Sequence, residues 1–162
     1  MKRMRILLAL GLAAAGVAAL AACTHEQPSL ALNPQYRQAY DDKGETVALA
    51  YGLPNSDDVA LMLECAKGSV LVELSDTVRD KRATTVALSS GGKKTSVPVH
   101  AEANEGGLEG EILTGNLPLS APALQGLRRT GVLQVSSGQS HYAITVGPGG
   151  RVGVERFFKA CG

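Results

Sequence analysis

Val59-Ala60-Leu61-Met62-Leu63-Glu64-Cys65-Ala66-Lys67-Gly68-Ser69-Val70-Leu71-Val72-Glu73-Leu74 is the stretch that decides the fold. A strand points successive side chains to opposite faces, so Val59, Leu61, Leu63 and Cys65 share one face. Ala66-Lys67-Gly68 then forms a tight turn, after which Val70, Val72 and Leu74 alternate with Leu71 and Glu73. Two short period-two runs joined by turn residues predict a hairpin or meander.

The same pattern extends both ways. Upstream, Thr46 to Tyr51 is an apolar run ended by Gly52-Leu53-Pro54-Asn55-Ser56-Asp57-Asp58, whose Gly, Pro, Asn and Asp favour turn geometry. Downstream, a charged connector is expected at Asp76 to Arg82. Thr84 to Leu88 and Thr95 to Val99 then flank Ser89-Ser90-Gly91-Gly92-Lys93-Lys94, a second hairpin signal. Pro98 has no N–H to give a ladder, which places its strand at an edge or a bulge. Asn104-Glu105-Gly106-Gly107 is a further turn before the short run Leu108 to Leu113, which Gly110 and Gly115 weaken.

At Ser120 the period moves toward 3.6. Ser120 suits an N-cap, Pro122 the first turn, Leu124 and Leu127 one face, and Gly131 the end, predicting a short helix near 120–130. Val132 to Val135 and Tyr142 to Val146 read as strands joined across Ser136 to His141, and Gly147-Pro148-Gly149-Gly150 as a chain break. Val154, Phe157, Phe158 and Cys161 fall at i, i+3, i+4 and i+7, the spacing of a helix with one buried stripe. The fold class expected is therefore α+β: an antiparallel sheet or small sandwich with a short helix and a closing C-terminal helix. With 2 Phe, 4 Tyr and no Trp, Leu and Val must supply most of its core.

The N-terminus reads differently. Lys2, Arg3 and Arg5 precede an uncharged Ala- and Leu-rich run from Ile6 to Ala22, the layout of a signal peptide. The run ends in Leu20-Ala21-Ala22-Cys23, which resembles the lipobox of bacterial lipoproteins. The resemblance implies cleavage before Cys23, acylation of its thiol and anchoring in a membrane by two or three acyl chains, where a single chain would hold only marginally. Thr24 stands where an Asp would favour inner-membrane retention, so a periplasm-facing lipoprotein of the outer membrane is expected. The implied domains are a signal peptide at 1–22, a tether at 23–44 and an envelope β-rich domain at 45–162. The tether reading rests on Pro28, Pro34 and scattered polar residues, with Tyr36 and Tyr40 spaced for one docking helical turn.

Loss of the leader removes three cations and no acids from a chain with 16 Lys+Arg and 15 Asp+Glu. The mature chain is slightly acidic, which argues against nucleic acid as a partner. Acylation of Cys23 leaves Cys65 and Cys161, an even pair that an oxidising compartment is expected to close into a disulfide.

Leu124-Gln125-Gly126-Leu127-Arg128-Arg129-Thr130-Gly131-Val132-Leu133-Gln134-Val135, a hairpin, and Phe157-Phe158-Lys159-Ala160-Cys161 together resemble the C-terminal half of invasion-associated locus B-like periplasmic proteins. That resemblance implies a short helix, a hairpin and a closing helix in succession. Ser137-Gly138-Gln139-Ser140-His141-Tyr142 resembles, one residue out of register, a segment of the periplasmic lysozyme inhibitors, which implies a recognition loop drawing on Ser137, Gln139, Ser140 and His141.

No Gly-x-Ser-x-Gly, His-Glu-x-x-His or Walker pattern occurs, and Gly147 to Gly153 lacks the third Gly of a dinucleotide loop. His25, His100 and His141 have no metal-ligand spacing, and Asn55-Ser56-Asp57-Asp58 is too short for a Ca²⁺ shell. Neither a catalytic residue, a metal nor a cofactor is expected. The functional expectation is a lipid-anchored, non-enzymatic envelope protein that binds a partner or structural polymer. The alternatives are an inhibitor of a periplasmic or host hydrolase, and after it an enzyme.

Overall fold

The computed structural model describes residues 31–77, 82–103 and 111–162, so Cys23, the leader, the turn at Asn104 to Gly107 and the first half of the run from Leu108 to Leu113 lie outside the described residues. The fold is mainly β, with two antiparallel sheets and two helices. The described residues form ten strands: β1 Arg37–Asp42, β2 Thr46–Gly52, β3 Val59–Ala66, β4 Leu71–Asp76, β5 Thr85–Ser90, β6 Lys93–Pro98, β7 His100–Ala103, β8 Glu111–Pro118, β9 Val132–Ser137 and β10 Ser140–Thr145. The helices are α1, Pro122–Thr130, and α2, Pro148–Cys161. One sheet runs β1-β2-β3-β4-β8-β7 and the other β10-β9-β5-β6.

The inward faces of both sheets meet in one apolar core. Leu49, Leu61, Leu63, Val72 and Leu74 come from the larger sheet, and Val86, Leu88, Leu133, Val135, Tyr142 and Ile144 from the smaller. The alternation read in β3 holds at Leu61, Leu63 and Cys65, all buried. Helix α2 buries Val154, Phe157, Phe158 and Cys161, the stripe expected from its spacing. It thereby carries Cys161 to Cys65, and the two form a disulfide with a Cα–Cα distance of 5.9 Å.

Several expectations are corrected. Residues 37–42 are not part of a tether or a helical turn: Arg37–Asp42 is a strand paired along its whole length with β2, so the β domain begins before residue 45. Its charged residues fit an edge strand, which has a ladder partner on one side only. Asp76 is not in a surface connector. It ends β4 fully buried and accepts a hydrogen bond from Tyr142.

Helix α1 is capped by Ala121, not Ser120, and no side chain caps it locally. A distant hydroxyl, Thr95 Oγ1 on β6, accepts from the Ala123 N–H at 3.1 Å, relieving one of the orphan donors of the first turn. Gly131 does close the helix in the left-handed conformation, φ 74°, as a C-terminal glycine should. Pro148 begins α2 instead of breaking the chain, since proline's missing N–H costs nothing at the first helical position. Finally, β8 extends to Pro118, past Gly115, which faces Leu74 across the ladder.

Candidate functional site

The hairpin β9–β10 is tighter than the sequence suggested. Ser137 pairs with Ser140, leaving a two-residue loop of Gly138 and Gln139, with Gly138 at φ 54°. A positive φ at the first loop position matches the right-handed strand twist and suits glycine. The short loop fixes the register, so Ser136 stands opposite His141 and Val135 opposite Tyr142.

That register sorts the candidate residues. Ser137 and Tyr142 are both fully buried on the inward face, so Ser137 cannot serve as a recognition residue, and the inhibitor-like segment loses its serine. Gln139 is exposed at the turn, and Ser140 and His141 are half-buried. On the outward face Ser136 Oγ and His141 Nδ1 lie 2.6 Å apart, forming a hydrogen bond across the hairpin. Sequence reading had considered Ser137 and Ser140 beside His141. The signal for Ser136 was its place three residues before Gln139, which becomes decisive only with a two-residue turn.

Following the ladders outward from this pair gives two rows of neighbours on the smaller sheet. One is Ser96, Ala87, Ser136 and His141, and the other Lys94, Ser89, Gln134 and Ala143. Strands lie roughly 4.8 Å apart, so the face is an open lattice of short hydroxyls, one amide, one imidazole and one ammonium. Lys94 and Gln134 are exposed and Ser89 half-buried. The imidazole is oriented by Ser136, which reduces the side-chain freedom that binding would have to remove.

Behind this face lies a buried polar link. Tyr142, reaching inward from β10, donates to Asp76 Oδ1 at 2.9 Å, and both residues are fully buried. Burial, then the negative charge of Asp76 and their hydrogen bond, push the Tyr142 phenol well above its ordinary range. The link spans the two sheets, tying β10 to the end of β4, and so holds the hairpin against the larger sheet.

Several other polar groups away from this face are engaged in local structural contacts. His100 Nε2 lies 2.7 Å from Glu102 and 3.2 Å from Thr114 Oγ1 on the larger sheet, with His100 and Glu102 well exposed. In the 55–58 turn, Ser56 Oγ accepts from the Asp58 N–H and Asp58 Oδ1 from the Tyr36 hydroxyl. Arg128 forms a forked pair with Glu155 and lies 5.2 Å over the Phe158 ring, a surface clamp between the helices. That pairing raises the Arg128 pKa and lowers that of Glu155. Among the described residues no three His, Cys, Asp or Glu side chains are grouped to hold a metal ion, and no helix is long and apolar enough to cross a membrane.

No family model, curated protein or solved structure matches this chain.

Proposed function

We propose that the mature chain is a lipid-anchored, non-enzymatic envelope protein that binds a polar structural polymer on the outward face of its smaller sheet. The observation that carries this reading is the pair of rows Ser96-Ala87-Ser136-His141 and Lys94-Ser89-Gln134-Ala143. Hydroxyls and an amide can exchange hydrogen bonds with the hydroxyl and acetamido groups of a glycan chain, and Lys94 suits the carboxylates of peptide stems. The polymer class is thus a cell-wall glycan–peptide. An open sheet face cannot enclose a small molecule as pockets do, but it can lie along an extended chain.

Anchoring is carried by Leu20-Ala21-Ala22-Cys23, with Cys23 as the acylated residue, and the outer membrane facing the periplasm as the favoured location. A lipid-held domain close to the cell wall gains effective concentration for it, so individually weak contacts suffice. An enzymatic use of Ser136 and His141 is disfavoured by their setting. Nucleophile–base pairs work where water is excluded and a third group orients the base, whereas this pair lies on an open sheet face.

The test is co-sedimentation of the non-acylated mature chain with insoluble cell-wall polymer. The protein should pellet with the polymer and be released by soluble polymer fragments. Retention in the supernatant at every polymer concentration would overturn the reading. Inhibition of a lysozyme by the same preparation would transfer the function to the hydrolase-inhibitor alternative.

A further inference from the structure

Among the described residues the two sheets present four edge strands, β1, β7, β10 and β6. An edge strand offers unpaired N–H and C=O groups to any other strand, and proteins blunt such edges with charges, proline, shortness or a covering element. Three of these edges carry such devices. Strand β1 holds Arg37, Asp41 and Asp42 and is packed against by α2. Strand β6 has Lys93, Lys94 and Pro98. Strand β7 has only four residues and includes Glu102.

Strand β10 is the exception. Its sequence, Ser140-His141-Tyr142-Ala143-Ile144-Thr145, contains no Lys, Arg, Asp, Glu, Pro or Gly, and its ladder with β9 runs without a register shift. Among the described residues its one ladder partner is β9.

The backbone directions follow from the turn. In a hairpin with a two-residue loop the flanking residues, here Ser137 and Ser140, form a hydrogen-bonded pair, and such pairs alternate with non-bonded ones. The Val146 N–H donates to Gly131 O at 2.7 Å, which fixes the same parity at the other end. Ser140, Tyr142 and Ile144 therefore spend their backbone groups on β9. His141, Ala143 and Thr145 point theirs at the open edge.

We propose that this edge pairs antiparallel with β10 of a second copy of the chain, about a two-fold axis at Ala143. A second copy fits because the strand is self-complementary. Ala143 would face the partner's Ala143, where two small side chains meet without crowding, and His141 would face the partner's Thr145. No like-charged side chains of β10 would oppose each other. The bulky Tyr142 and Ile144 are turned inward and buried, clear of the axis.

Pairing joins the two smaller sheets into one continuous outward face of twice the width. The inference stands whether or not that face binds a polymer. One strand edge covers less than the roughly 1,200 Å² typical of stable interfaces, so the pairing is weak in dilute solution and is populated where the chains are concentrated.

The test uses the full-length protein in its own membrane, carrying either Ala143→Cys or Gln134→Cys, treated with a short bis-maleimide. Both side chains are exposed, so neither change disturbs the core. Across the axis the Ala143 positions would lie about 5.5 Å apart, and the Gln134 positions roughly 15 Å apart across three strand spacings. Ala143→Cys should give a cross-linked product of twice the chain mass in several-fold higher yield than Gln134→Cys. Adding Thr145→Lys, a charge on the edge, should reduce that yield several-fold. Equal yields from the two cysteines, a yield indifferent to Thr145→Lys, or a product of another mass, meaning a different protein on the edge, would each overturn the proposal.

Discussion

Replacing Tyr142 by Phe removes one hydroxyl and leaves the ring in place. The hydroxyl donates to the carboxylate of Asp76 at 2.9 Å with both residues fully buried. A hydrogen bond to a charged group contributes about 1.5–3 kcal/mol, and a buried acceptor deprived of a donor adds a desolvation cost. The expected loss is therefore about 2–3 kcal/mol, which for a domain of this size lowers the thermal midpoint by roughly 5–15 °C. The assay is urea unfolding of the non-acylated mature chain, followed by circular dichroism, for Tyr142→Phe, Asp76→Asn and the double variant. The two single losses should not add, because they remove one interaction. The pH dependence supplies a second arm. The folded state holds the Tyr142 phenol neutral well above its ordinary range, so its contribution is full below the unfolded value of about 10 and declines as pH rises through the folded value. Wild type should lose stability above about pH 10 more steeply than Tyr142→Phe. A variant within about 0.5 kcal/mol of wild type, or one with the same alkaline slope, would refute the inter-sheet link.

Replacing Cys65 and Cys161 together by Ala opens a cross-link spanning 96 residues; a loss of about 3–4 kcal/mol is expected from loop entropy less native strain, and unchanged urea midpoints would contradict it. Both amide atoms of Gln38 are buried without a hydrogen-bond partner among the described residues, beside Leu49, Tyr51 and Ile144. Gln38→Leu should therefore raise stability by about 1 kcal/mol, and a fall of similar size would show that the amide is satisfied. Cys23→Ala should abolish radiolabelled palmitate incorporation and retain the leader on the chain, whereas unchanged labelling would refute the anchor.

What could be read from the sequence follows from where the information is local. Alternation in β3 and β4 and the i, i+3, i+4, i+7 stripe of α2 are short-range patterns set by burial. The disulfide was legible from cysteine parity only on the reading that sets Cys23 aside as a lipid attachment site, which leaves Cys65 and Cys161 one way to pair. Strand β1 was missed because Arg37-Gln38-Ala39-Tyr40-Asp41-Asp42 has no apolar alternation, and it is a strand because β2 and α2 supply its partners. The helix starts one residue later than Ser120 suggested, and its Ala123 N–H is satisfied by Thr95 on the distant strand β6, a partner that local sequence does not show. Asp76 looked like surface because its partner, Tyr142, is 66 residues away. In the candidate site, His141 was legible as a polar residue near a turn. Ser137 was misassigned and Ser136 overlooked, because a broad loop was assumed where two residues suffice, and that difference decides which serine faces out.

The central claim is that the outward face of the smaller sheet binds a polar glycan–peptide polymer. Its most direct test is nitrogen-15 amide shift mapping of the non-acylated mature chain during titration with soluble fragments of cell-wall polymer. The account predicts saturable shifts concentrated at Ala87, Ser89, Lys94, Gln134, Ser136, His141 and Ala143, with the larger sheet unmoved. Shifts confined to the larger sheet, or none at saturating fragment, would contradict it.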